Sequence, residues 1–330
     1  MAILANQKVL TLDYWKPANK IQRGDYLFDR NGKPVQVKLV QEYFSDDCYE
    51  VMLNDYLTIS GDKRLEFLVE NFKYRDRVIE YKGYHPFRRP LKPMNVETLL
   101  DGDLKDKTNC KIYSIPTTKP IELPHQTLPV PPFVFGFWFV NRKPSKFFTT
   151  TPSTQEEVEQ QLKDFGYKVK IRKTIHNGWR QFTISPTIES QLAPGIPTKI
   201  PANYLLADKE QRIELLRGII FAKPRQYLPS KDRFRFSTTH YGTALSIQGL
   251  VESLGGKTSL TFTEKNSTYT LIFRTRLKLV PNQVSKPIKI HQARRYIEKI
   301  TKIQPQTCVH IETDGPDNSY LVGEGFISCR

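Results

Sequence analysis

The chain has 330 residues and a formal net charge of +16, with 38% hydrophobic and 25% charged residues. That length exceeds one core of roughly 100–150 residues, and its 16 Tyr and 19 Phe exclude a disordered chain, so two or three folded domains are expected. The cysteines, Cys48, Cys110, Cys308 and Cys329, lack CxxC spacing, which argues against a zinc cluster or disulfide scaffold and for a reducing, intracellular setting.

The start, MAILANQKVLTLDYW, has no signal-peptide pattern and no run of 18 apolar residues follows it, so neither secretion nor membrane spanning is expected. Charge is unevenly distributed. Residues 1–125 hold 20 Lys or Arg against 18 Asp or Glu, residues 126–300 hold 28 against 12, and residues 301–330 hold 2 against 4. The excess therefore lies in the middle, as expected of a module that meets a polyanion, or of a lysine-rich solubilising surface.

Residues 8–72 read as short strands, with Asn31-Gly32 as a hairpin turn. Residues 73–125, broken by Pro86, Pro90, Pro93, Pro116, Pro120 and Pro124, read as irregular connection with a short helix near Asn95–Leu100. Pro131-Pro132 then introduces the helix-length run FVFGFWFVN. Ser153 or Thr154 caps an amphipathic helix that ends at Gly166, and KVKIRK and WRQFTIS form a hairpin around Asn177-Gly178. The order recurs. Residues 209–222 form an amphipathic helix, FRFSTTH a strand, Tyr241–Leu254 a helix stopped by Gly255-Gly256, and residues 259–275 a hairpin turning near Lys265-Asn266. Residues 294–330 return to strands, so one β style brackets the basic module.

At these residues the chain resembles an intein that carries a LAGLIDADG (dodecapeptide) homing endonuclease inside its splicing domain. VLTLDYWKPANKIQRGDYLFDRNGKPVQV is similar to the N-terminal intein block, and CVHIETDGPDNSYLVGEGFIS to the C-terminal blocks. IPANYLLADKEQRIELLRGIIFAKP, with FRFSTTHYGTALSIQGLVESLGGK after it, is similar to the second dodecapeptide helix and its successor. The resemblance implies an all-β Hint-like splicing fold interrupted by an α+β LAGLIDADG-like pseudo-dimeric saddle. Its expected parts are 1–125 and 294–330 for the β domain, and 126–293 for the insertion, with repeats 126–207 and 208–293.

The resemblance also places the family's reactive positions. The N-terminal Cys or Ser aligns with Ala5 or a neighbour, which supplies no nucleophile. In the TxxH signature Ser60 and Lys63 stand in, and a lysine, with an unperturbed pKa near ~10.4, lacks the two-way proton chemistry of histidine. The end, Gly325-Phe326-Ile327-Ser328-Cys329-Arg330, has no His-Asn pair. Cys329 is a relic of the downstream nucleophile or a simple terminal cysteine. At the feet of the two nuclease helices Asn141 and Lys223 replace the metal-binding Asp residues, and Arg142 and Pro224 replace small neighbours. Splicing and cleavage are thus not expected, nor is a metal or cofactor. Gly136 and Gly218 remain as close-packing glycines, with Phe133, Phe137, Trp138, Leu215, Ile219 and Ile220 as core.

Strand alternation places Lys168, Lys170 and Arg172 on one face, and Arg180, Arg233, Arg235, Arg274, Arg276 and Lys278 extend the basic pattern. These are a phosphate track or ordinary solvated sheet faces. Six phosphate contacts would give a logarithmic salt slope of about −5. Trp179 and Tyr241 stack on bases or pack in the fold. His85, His125, His176, His240, His291 and His310 form no catalytic or metal grouping. Two functions compete: a cleavage-inactive duplex-DNA binder, or a structural or protein-interaction component of a phage or mobile-element assembly, with a virion location if phage-encoded. An active nuclease using another site ranks third.

Overall fold

The computed structural model describes residues 2–13, 15–71, 91–141, 148–150, 152, 154–174, 178–192, 197–222, 226–275, 277–280, 283 and 294–330. The chain divides into two compact units, one built from residues 1–122 with 289–330 and the other from 123–288.

The first unit is nearly all β, a 14-stranded network of antiparallel pairs. Segments from before and after the second unit interleave in it. The strand Ala2–Leu4 pairs with Gln306–Thr313, Ile3 opposite Val309, and also with Thr58–Asp62. Arg294–Ile303 pairs with Cys48–Leu53, and Lys8–Leu10 meets Tyr320–Val322. Inward-facing Ile3, Val51, Phe67, Ile297, Val309 and Ile311 fill the core between these strands. The turn at Asn31-Gly32 forms as the sequence predicts. Gly32 has φ +78°, and a side chain there would collide with the backbone of Pro120 and Ile121.

Pro86 and Pro90 lie outside the described residues; from residue 91 on, the proline-broken stretch is more regular than expected. Lys92–Asn95 is a strand on Glu66–Asn71, α1 (Val96–Leu100) follows with Asn95 as its cap, and Tyr113–Pro116 pairs on both sides. Among the described residues the strand of Pro93 pairs on one side alone, an edge position that tolerates proline.

Asp317 fastens the turn that enters Tyr320–Val322: Oδ1 accepts from Ser319 N (3.2 Å) and Oγ (2.6 Å), and Oδ2 from Arg30 Nε (2.5 Å). Burial opposes ionisation here, but these donors together hold the carboxyl below its ordinary value. A lowered folded pKa gives stability that is present above the unfolded value near ~3.9 and is lost as pH falls through the folded one. Asp317→Asn is therefore expected to cost about 1 kcal/mol at pH 7 and progressively less as the pH is lowered into the acid range, read by urea titration at each pH.

The second unit packs helices against two antiparallel sheets. Its helices are α2 (Pro132–Asn141), α3 (Gln155–Asp164), α4 (Ala202–Leu205), α5 (Lys209–Phe221) and α6 (Tyr241–Ser253). One sheet has the order Phe148–Thr150, Arg180–Ser185, Lys168–Thr174; the other runs Tyr227–Leu228, Arg233–Thr238, Thr268–Arg274, Lys257–Thr263. α2 is apolar on every side and buried throughout Phe133–Phe139, so it has no polar face to turn to water.

α5 begins with an Asp208–Gln211 capping box. Its Arg212 is fully buried: Nε donates to Ala207 O (2.9 Å) and Nη1 to Ser253 O (3.0 Å) and Oγ (2.7 Å). Burial pulls this guanidinium down to about 10, still charged at neutral pH, and its carbonyl acceptors tie α5 to the end of α6.

Candidate functional site

α2 and α5 cross at Gly136 and Gly218. A methyl group on Gly136 would overlap Leu215 O and lie 3.1 Å from Ile219 N; one on Gly218 would overlap Phe133 O and lie 2.9 Å from Phe137 N. The two backbones touch where no Cβ fits, and Phe133, Phe137, Trp138, Leu215, Ile219 and Ile220 are buried around the crossing. Asn141 ends α2. Its Nδ2 is buried and has no hydrogen-bond partner among the described residues. Lys223, Arg142 and Pro224 lie outside the described residues, as do Arg276, His85, His176 and His291.

Each sheet of this unit turns apolar residues to the helices and polar ones away. In the second sheet Phe234, Phe236, Leu271 and Phe273 are buried, while Arg235 and Ser259 are exposed across the register from Ile272. Arg233 and Arg274 share this outward register but are half-buried, and Arg274 Nη2 donates to Lys231 O (3.0 Å). Lys278 is exposed beyond the strand. In the first sheet Lys168 and Lys170 are exposed opposite Ser185 and Thr183.

Two expected positions change. A bulge between Ile171 and Lys173 breaks the alternation, so Arg172, though exposed, is out of register with Lys168 and Lys170, and Ile171 is 47% exposed. Arg180 shares the helix-side face with Phe182 and Ile184, and its Nη1 meets Glu159 Oε1 of α3 at 3.2 Å. It does not share the outward face of Lys168 and Lys170. Tyr241 is exposed and packs on Tyr269, which also meets Phe262, at centroid distances of 5.1 and 4.7 Å; Trp179 is half-buried. Among the described residues, the strands of this unit contain no Asp or Glu.

In the first unit Ala5 is a backbone anchor. Its N–H donates to Thr307 O and its carbonyl accepts from Asn19 N, both at 3.0 Å. Lys63 points outward, with Nζ 3.4 Å from Glu97 Oε1. The sequence reading missed its neighbour Asp62, which is buried and accepts from Tyr43 Oη (2.6 Å) and from Arg64 Nε and N (2.9 Å each). Burial and the Asp62 carboxylate push the Tyr43 phenol up, and the same carboxylate raises Arg64. Tyr43 and Arg64 line a cavity of about 610 Å³ with Gln41, Glu42 and His310. His310 Nε2 lies 2.9 Å from Glu312 Oε1 and His125 Nδ1 2.6 Å from Asp208 Oδ2, so each sits beside a carboxylate. His240 precedes α6 without capping it through its side chain.

No family model matches the chain. Its sequence is similar to that of the replicative DNA helicase DnaB of Mycobacterium intracellulare, 22% identical over 340 residues, which take in 95% of this chain and 55% of that protein. The chain spans about half the length of that curated relative. Among solved structures it is similar to a mutant Ssp DnaB mini-intein, with 9% identity over 100% of this chain and 97% of that one and a TM-score of 0.31. It is also similar to mesophilic variants of the homing endonuclease I-DmoI, with 12% identity over 48% of this chain and 98% of that one and a TM-score of 0.34. No helix among the described residues is long and apolar enough to cross a membrane.

Proposed function

We propose that this is an intein-derived protein whose second unit, a LAGLIDADG-type domain, grips duplex DNA without cutting it, and whose first unit is a Hint-type domain that no longer splices. One observation carries the DNA reading: the strands of the second unit hold Lys and Arg and no described carboxylate. A sheet face that merely needed solubility would mix both signs; a face that follows phosphates excludes acids. Lys168, Lys170 and Arg235 are exposed cations in the outward register, and Arg172 is exposed at the bulge.

The absence of cutting rests on donor chemistry at the helix foot. Asn141 offers a buried amide N–H where a divalent ion would need an anionic oxygen, so the residues present do not fit Mg²⁺ there. Splicing lacks its groups in the same sense. Ala5 has no nucleophilic atom, and Lys63 stands where an imidazole would have to give and take a proton.

The test is duplex binding by fluorescence anisotropy over a salt series, with a cleavage assay in Mg²⁺ and Mn²⁺. Affinity is expected to fall steeply with salt, and Lys168→Glu with Lys170→Glu and Arg235→Glu to weaken it at least 100-fold with unchanged folding. Salt-independent binding, or cut DNA, would overturn the reading.

A further inference from the structure

Cys48 and Cys308 stand 260 positions apart in sequence, and their Sγ atoms are 3.9 Å apart. Both residues are fully buried. They meet where two ladders adjoin: Cys48 opens Cys48–Leu53 opposite Ile303, while Cys308 lies between Tyr43 and Leu4 in register. Ala2, Leu4, Tyr43 and Ile303 surround the pair. The Cys48 thiol has Ser45 O at 3.4 Å and Gln306 O at 3.8 Å as acceptors. Neither sulfur has a part in the DNA reading, and one comes from before the second unit while the other comes from after it.

We propose that Cys48 and Cys308 are a modification site, an intramolecular disulfide latch closed by a peroxide-class oxidant. One thiolate attacks a peroxide oxygen, the O–O bond breaks, and a sulfenic acid and hydroxide form. The second sulfur then attacks the sulfenic sulfur, the S–S bond forms and water leaves. Two thiols and one hydrogen peroxide thus give one disulfide and two waters. The sulfurs, 3.9 Å apart, are in van der Waals contact, so closure to a bond of about 2.05 Å brings them roughly 2 Å closer.

Burial, and after it the neighbouring Cys48, pushes the Cys308 thiol up to about 12. Thiolate is therefore scarce in the folded chain at neutral pH, and closure is slow there and faster in alkali. A reducing setting keeps the latch open; an oxidising one joins the two flanking segments of the first unit covalently. The bond would close a very long loop of the unfolded chain, and so would raise the melting temperature.

The experiment uses the full chain with Cys110→Ser, which removes the exposed thiol that would couple separate molecules. It is treated with hydrogen peroxide at pH 7 and pH 9, alkylated, and mapped by non-reducing peptide mass spectrometry. The expected result is a peptide pair joining residues 48 and 308, about two hydrogens lighter than the free thiols and formed several-fold faster at pH 9. The melting temperature should rise by several degrees, and dithiothreitol should reverse both changes. Cys48→Ala should abolish the pair. Recovery of both thiols in alkylatable form, under exposure that fully oxidises Cys110 in the unsubstituted chain, would overturn the proposal. So would a cross-link from either one to Cys329.

Discussion

Gly218→Ala is expected to destabilise the second unit by about 3 kcal/mol or more, although alanine is the better helix former by about 1 kcal/mol. The added methyl meets backbone, Phe133 O and Phe137 N, and backbone cannot rotate aside. α2 would have to move off α5, which opens the contacts of Phe133 and Phe137 with Leu215 and Ile219. Gly136→Ala meets Leu215 O from the opposite side and should behave alike. Gly249, in α6, is the control: nothing lies within 4 Å of a methyl there, so Gly249→Ala should be neutral or stabilise by up to about 1 kcal/mol. Urea unfolding followed by the emission of buried Trp138 reads all three. Equal effects at 218 and 249 would mean that helix propensity, and not the crossing, decides.

The contrast between those glycines marks what a sequence can state. The apolar run of α2 and the amphipathic pattern of α5 are local, as are the Asn31-Gly32 turn and the stop at Gly255-Gly256, and each forms where its residues predict. Alternation also separates Arg235 from Phe234 and Phe236 correctly. It fails at Arg172, because a single bulged residue shifts the register and strand chemistry alone does not announce it.

Arg180 was misplaced for a different reason. Its partner Glu159 lies on a separate helix, and such pairing is encoded in the packing of α3 on the sheet. Tyr43, Asp62 and Arg64 form a network across two strands. A run of buried positions, Ile59 to Asp62, places the carboxylate inside, whereas the family-guided reading drew attention to Lys63 beside it. Cys48 and Cys308 share no local signal at all. Nor did prolines near 93 and 116 reveal that their strands sit beside partners from distant sequence.

Arg295→Met is expected to cost the first unit about 3–5 kcal/mol at pH 7. The Arg295 and Asp55 side chains are 3% and 10% exposed, with Nε 2.7 Å from Oδ2. The arginine belongs to the strand that re-enters this unit after the second one, and the aspartate to the turn between Leu53 and Leu57, so the pair registers the two flanking segments. Methionine replaces most of the arginine's apolar stem but leaves the carboxylate buried without its cation. The buried charge left without its partner then sets the deficit. Adding Asp55→Asn removes that charge at every pH and should recover at least half of the loss at neutrality. Chemical denaturation of the two single variants and the double variant closes the cycle. A double variant no better than Arg295→Met alone would assign the loss to packing around the guanidinium stem. Recovery in the double variant assigns it to the buried charge, and with it the register of the returning strand.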